Sequence, residues 1–192
     1  MKTFVRSFVA LGIAALGTAC GSDRDGNVSV VEIENGVWAE IVQGESLRVE
    51  GDVVVEREGN VLRLVPEHGD AVALVRLPFP WAREIRTRGN AEVVVRSMRL
   101  DTLELDAGGT SRIEVSGVTS QLVVRMRGNA EIQASDLIAA HADIDGSGNA
   151  TGEIQVTVSV EGTLSGNAEL VVSGGASTAD LFTQGSADVT VE

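Results

Sequence analysis

From residue 89 onward, apolar and polar residues alternate in short runs that restart after a glycine. These glycines are Gly89, Gly109, Gly128, Gly148, Gly166 and Gly185, a nearly even spacing along the chain. Two places after each comes a small residue: Ala91, Ser111, Ala130, Ala150, Ala168 and Ala187. Apolar residues then fill alternate places, as in Val93 and Val95, Ile113 and Val115, Ile132 and Ala134, Leu170 and Val172, and Val189 and Val191. Ahead of the glycines the alternation returns at Leu103 and Leu105, Leu122 and Val124, Ala142 and Ile144, and Ala179 and Leu181. A third inward place is expected at Met98, Val118 and Leu137. The coil after Gly148 fits only if Thr151-Gly152 is a two-residue insertion, which puts Ile154 and Val156 inside.

Alternation with period two belongs to strands and excludes a helical solenoid, which needs apolar spacings of three and four. A fixed period near twenty means that each repeat covers its neighbour's apolar face. The expected fold is therefore all-β: a right-handed parallel β-helix of about 19-residue coils, triangular in section. Like positions then stack at the strand spacing of about 4.8 Å. So narrow a tube favours aliphatic residues, consistent with four Phe, two Trp and no Tyr. The corner is glycine followed by Asn90, Asn129, Asn149 or Asn167, residue types that tolerate positive φ, and the asparagines are expected to stack as an amide ladder.

Residues 36–80 lack the repeat and are expected to form an N-terminal cap region, with residues 81–192 as the coils of one head domain. Two β-branched runs, Val53-Val54-Val55 and Val61 to Val65, flank Gly59-Asn60 and predict an antiparallel hairpin. A turn at Pro66 to Asp70 leads into a strand from Ala71 to Leu77. The large rings here, Trp38, Phe79 and Trp81, are expected to plug the open lower end of the solenoid.

The N-terminus reads as an address. Lys2 and Arg6 precede a nine-residue apolar run over 8–16, too short to span a bilayer and suited to a signal peptide. It ends in Leu16-Gly17-Thr18-Ala19-Cys20, which resembles a bacterial lipoprotein signal, with Gly17 where that signal usually carries Leu. The resemblance implies a cleaved leader over 1–20 and a lipid on Cys20 that holds the protein to a membrane. Residues 21–35 would be a tether. Cys20 is the only cysteine, so no intramolecular disulfide can form. Gly21 and Ser22 follow it without an immediate Asp, which by analogy with lipoprotein sorting points to the outer membrane. The alternative is cleavage after Ala19 and a periplasmic or secreted product.

Charge narrows the function classes. After Cys20 there are 13 Arg, no Lys and 28 acids, a net charge of −15. Such a chain does not bind nucleic acid through its overall field. The charge is uneven: residues 76–127 hold nine Arg against six acids, and after Arg127 there are ten acids and no base. The chain should thus have a basic waist and acidic ends.

Little in the sequence points to catalysis. His68 and His141 are the only histidines, and no second His or Cys lies near either, so no metal site and no cofactor are expected. The run from Asp143 to Glu153 imitates a calcium loop, but its closing acid is one place early and strands flank it. Outward, mostly acidic columns are more promising: Glu92, Arg112, Glu131, Glu169 and Asp188 in one, Glu84, Glu104, Asp143, Glu161 and Asp180 in another. With Asp145 beside them, the later residues could form a weak surface for divalent cations or a basic partner; the simpler reading is a solvated face that resists aggregation.

The lipoprotein-like leader, the hairpin, Val75-Arg76-Leu77-Pro78 running on to Ile85-Arg86-Thr87-Arg88-Gly89-Asn90-Ala91-Glu92, and the Gly-Ser/Asn-Ala-Asp/Glu repeats together resemble one family. It is the putative auto-transporter adhesin, head GIN domain family of bacterial envelope proteins, over roughly residues 35–192. The resemblance implies a β-solenoid head with an adhesive or envelope role and supplies no catalytic residues. The reading is a non-enzymatic envelope protein that binds an unknown protein or glycan, with a polysaccharide lyase or hydrolase as the alternative. The final strand, ending at Val191-Glu192, adds an expectation of a monomer or weak self-association through the C-terminal coil.

Overall fold

A computed structural model describes residues 28–78 and 82–192. The described residues are built from strands, and no helix among them is long and apolar enough to cross a membrane. Six strands come first: β1 (Val30–Glu34), β2 (Val37–Gln43), β3 (Arg48–Gly51), β4 (Val53–Glu58), β5 (Val61–Pro66) and β6 (Ala71–Leu77). Next come β7 (Glu84–Arg88) and four long strands: β8 (Glu92–Gly109), β9 (Arg112–Gly128), β10 (Glu131–Gly148) and β11 (Thr151–Gly166). The series closes with β12 (Glu169–Ser173), β13 (Thr178–Gly185) and β14 (Asp188–Val191).

The strands pair in parallel from coil to coil, which makes the molecule a β-solenoid. Each long strand turns between two faces, and the turn shows as a slip in register, between Val95 and Met98 in β8 and between Gln133 and Asp136 in β10. The glycine corners form a single file. Gly109 pairs with Gly128, Gly128 with Gly148, Gly148 with Gly166, and Gly166 with Gly185. The peptide N–H after each corner donates to the glycine carbonyl one coil earlier, as from Asn129 to Gly109 and from Asn149 to Gly128, both at 2.7 Å. A Cβ on Gly128 would come within 2.9 Å of the Gly109 carbonyl oxygen, at a φ of +85°. Backbone crowding and a left-handed conformation therefore both demand glycine there.

Inside the file the small residues Ala91, Ser111, Ala130, Ala150 and Ala168 are buried, as are the aliphatic columns beside them. Outside it, Asn167 donates to Asn149 (2.9 Å) and Asn149 to Asn129 (3.2 Å). Thr110 interrupts the amide ladder before Asn90.

Several expectations need correction. Residues 30–34, read as tether, are β1, and Val31 and Ile33 are fully buried. The region 36–80 is mostly solenoid: β2 pairs in parallel with both β6 and β8, and β1 with both β5 and β7. The first coil in sequence thus lies between the β5–β6 coil and the β7–β8 coil, so Val30 pairs with Glu84, far along the chain. Asn35, at φ +43°, takes the glycine place beneath Gly89. Among the described residues, antiparallel pairing is confined to the β4–β5 hairpin, at the expected residues, and to β3 against β6.

Thr151-Gly152 is no insertion. Gly152 pairs with Ile132 and Leu170, so it occupies an inward place without a side chain. The missing volume is taken by Met126 and Leu170, whose side-chain ends would lie 3.0 Å from a Cβ at Gly152. Met126 also reaches toward Gly146 in the next coil. Val118 points outward and is 46% exposed, because Gly117 holds the column shared by Met98 and Leu137. Trp38 does not plug the lower end. In β2 the inward residues are Val37, Ala39 and Ile41, which leaves Trp38 on the outer surface. Phe79 and Trp81 lie outside the described residues.

Candidate binding surface

Two broad faces meet at the glycine file. On the face that precedes it, outward residues stand in columns fixed by the register. One column runs Val30, Glu84, Glu104, Val123, Asp143, Glu161 and Asp180. The next runs Glu32, Arg86, Asp106, Arg125, Asp145, Thr163 and Phe182. On the face that follows the file, one column runs Val72, Trp38, Glu92, Arg112, Glu131, Thr151, Glu169 and Asp188.

Much of the basic waist is neutralised by pairing within and between these columns. Arg88 forks onto Asp106, donating at 3.0 and 2.7 Å, and the carboxylate is largely buried. That hydrogen bond raises the Arg88 pKa further above its ordinary high value, with the Asp106 charge adding to it against partial burial. Arg63 is held by Glu32 at 3.0 Å, with Glu34 and Glu56 nearby, and its pKa is raised chiefly by the hydrogen bond to Glu32. Arg125 pairs with Glu104, Arg86 with Glu84, and Arg112 with Glu131. Fixed ion pairs of this kind leave a sign-alternating surface in place of a free basic one.

The C-terminal coils differ. Asp143, Glu161 and Asp180 follow one another directly, as do Glu169 and Asp188. Asp145 lies one column over, 4.0 Å from the exposed Arg127. Among the described residues no group of three or more His, Cys, Asp or Glu side chains is placed to hold a metal ion. The last coil leaves Phe182 65% and Val191 49% exposed.

The structure brings together two residues that sequence reasoning kept apart: His141 Nδ1 lies 2.8 Å from Ser159 Oγ. The pair is one rung of the ladder, one coil apart in the chain, so the repeat period could have revealed it. It lies exposed on an open face rather than in a cleft. A shallow hollow of about 490 Å³ beside the hairpin is lined by charged residues, among them Glu32, Glu56, Arg63 and Arg86. His68 is exposed in the turn before β6. Cys20 lies outside the described residues.

The fold has solved counterparts. A putative adhesin from Bacteroides fragilis NCTC 9343 is similar at a TM-score of 0.68 and 12% identity, over 86% of this chain and 93% of that one. A protein from Parabacteroides distasonis ATCC 8503 described as a putative lipid binding protein is similar at 0.53 and 13%, over 88% and 94%. A putative adhesin from Parabacteroides merdae ATCC 43184 is similar at 0.50 and 13%, over 86% and 92%. Identities this low establish a shared fold. No curated protein sequence matches. Residues 82–191, more than half of the chain, match the family described as putative auto-transporter adhesin, head GIN domain. The protein belongs to the putative auto-transporter adhesin, head GIN domain family.

Proposed function

We propose that the chain is a non-enzymatic lipoprotein of the cell envelope that presents a rigid β-solenoid for binding or adhesion. The observation that carries this reading is the register itself. Short corners join the strands of successive coils, so the outer surface is a set of flat, ruled faces rather than loops around a cleft. Flat repetitive faces suit extended partners, since each coil offers its neighbour's pattern again one strand spacing higher. Family membership supports an envelope role, and the names of the similar structures agree with adhesion. The leader and Cys20 supply the address: a lipid on that cysteine would hold the head at the outer membrane.

Two measurements test this. Labelled palmitate should enter the wild-type protein and not Cys20→Ala, and the wild-type chain should fractionate with outer membranes. Cells displaying the wild-type head should adhere to glycan- or protein-coated surfaces better than cells lacking it. Equal adherence, or turnover of a polysaccharide by the purified chain, would overturn the reading.

A further inference from the structure

The outer face of the N-terminal coils carries an apolar patch that the core does not use. In register, Trp38 stands between Val72 and Glu92, and in the adjacent column Glu40 stands between Leu74 and Val94. The core takes the alternate residues Val37, Ala39, Ile41, Ala73 and Val93, and leaves Trp38, Val72, Leu74 and Val94 out. Val72 is 57% exposed, Trp38 and Leu74 are half-buried, and Val94 is only 5% exposed although it faces outward. Neighbouring side chains on this surface therefore cover Val94. The rim is charged and fixed in part: Arg96 donates to Glu40 at 3.1 Å, and Arg76 to Glu50 at 2.8 Å. Glu92 makes no hydrogen bond or ion pair with another described residue, so its exposed carboxylate is open to an outside donor.

We propose that this patch is a glycan-binding subsite, with Trp38 as the platform for one pyranose ring of a neutral polysaccharide. The inference rests on the binding reading above and names the site and the ligand class. Three features favour a sugar. Trp38 is the outward, half-buried aromatic of this flat sheet, and the negative quadrupole of an indole face attracts the weakly positive C–H face of a pyranose. Carboxylates at Glu92 and Glu40 stand in the next strand and the next column, where they accept hydrogen bonds from ring hydroxyls, and charge-assisted bonds of this kind are the stronger ones. The size decides against a protein partner: the exposed Val72 with the half-buried Trp38 and Leu74 suits one or two sugar rings, whereas a stable protein interface engages about 20–30 residues a side. An uncharged glycan also avoids the repulsion that the acidic surface imposes on an anionic one.

The test titrates the full-length chain by calorimetry with cellohexaose, xylohexaose, mannohexaose and chitohexaose. At least one should bind, and Trp38→Leu, which keeps an apolar side chain without a π face, should weaken it by about tenfold or more. Trp38→Phe should retain most of the affinity. Glu92→Gln should weaken binding about fivefold, and Glu161→Gln on the other face should change nothing. Unchanged melting temperatures would show that these variants fold. Failure of all four sugars to bind, or equal binding by Trp38→Leu, overturns the assignment. So does Trp38-dependent capture on a glycan-free protein surface, which would make the patch a protein-docking site. If Trp38→Leu cells still adhere while sugar binding is absent, the subsite falls and the adhesive reading stands.

Discussion

In the coils up to Arg127, guanidinium and carboxylate groups follow one another up the same column, as in Glu32, Arg86, Asp106 and Arg125. Beyond Arg127 the chain supplies no further basic residue, and Asp143, Glu161 and Asp180 follow one another with no arginine between them. The backbone differs in parallel. The N-terminal coils are inserted out of sequence order and edged by antiparallel strands, while the later ones repeat at a nearly constant period with the glycine file unbroken. The contrast teaches where each half draws its order. The first half draws on side-chain pairing across strands and the second on backbone fit and aliphatic filling, with the outer charges working against it.

The largest break in that comparison should come at the glycine file. Gly128→Ala forces a Cβ to 2.9 Å from a backbone oxygen that cannot move aside, at a φ that L residues avoid. A loss of about 2–4 kcal/mol in chemical denaturation is expected. Gly59→Ala in the hairpin also has positive φ but meets nothing within 4 Å, and should cost about 1 kcal/mol. Equal losses at the two sites would show that the file is not close-packed.

Next in size is the methionine that fills the space beside two inward glycines. Met126→Ala empties the space that Gly146 and Gly152 leave, and should cost about 3 kcal/mol. Gly152→Ala should cost about 1 kcal/mol alone, because its close neighbours are flexible side-chain ends, and less when Met126 is also shortened. A double-mutant cycle that is simply additive would contradict the contact.

Pairing in the first half comes third. Arg88→Ala strands the largely buried Asp106 carboxylate and should cost about 1–2 kcal/mol. Arg127→Ala, whose ion pair is exposed on both sides, should stay within about 0.5 kcal/mol. The folded-state pKa of Arg88 is raised, so its contribution is fully present below the unfolded arginine value and is lost only as pH rises through the still higher folded one. The Arg88→Ala difference should therefore hold constant from neutrality to about pH 10 in pH-resolved denaturation.

The smallest effects should differ in sign between the halves. Glu161→Gln, between Asp143 and Asp180, should stabilise by about 0.2–1 kcal/mol at low salt. Glu104→Gln removes the partner of Arg125 and should destabilise by about as much. Added salt should shrink both differences in thermal melts.

The repeat was legible because identical places recur in one chain: the glycine, the small residue behind it and the aliphatic pair could be read from spacing alone. What escaped notice had physical causes. β1 pairs with β7 across the whole stretch from β2 to β6, so no search at a period near twenty finds it, and its corner reverses the order to Asn35-Gly36. Gly152 breaks the alternation because its volume comes from Met126, a residue more than a coil earlier in the chain. Val118 and Gly117 exchange places because strands turn at that corner, where alternation no longer dictates which residue faces in. The acidic columns followed directly from the period. The outward Trp38 was equally readable, since Val37, Ala39 and Ile41 alternate around it, but an aromatic beside an open solenoid end invites assignment to the core.

The central claim is the register between coils, and disulfide trapping tests it most directly. In a Cys20→Ser background, Asp143→Cys with Glu161→Cys places two thiols on neighbouring strands in register, at the strand spacing of about 4.8 Å, within reach of a disulfide. Asp143→Cys with Asp180→Cys lies two strands apart, at roughly 10 Å, beyond that reach. Mild oxidation should close the first pair within the monomer and leave the second open. An open first pair, or a closed second one, would contradict the stacked-coil register on which the faces, the columns and the Trp38 patch all depend.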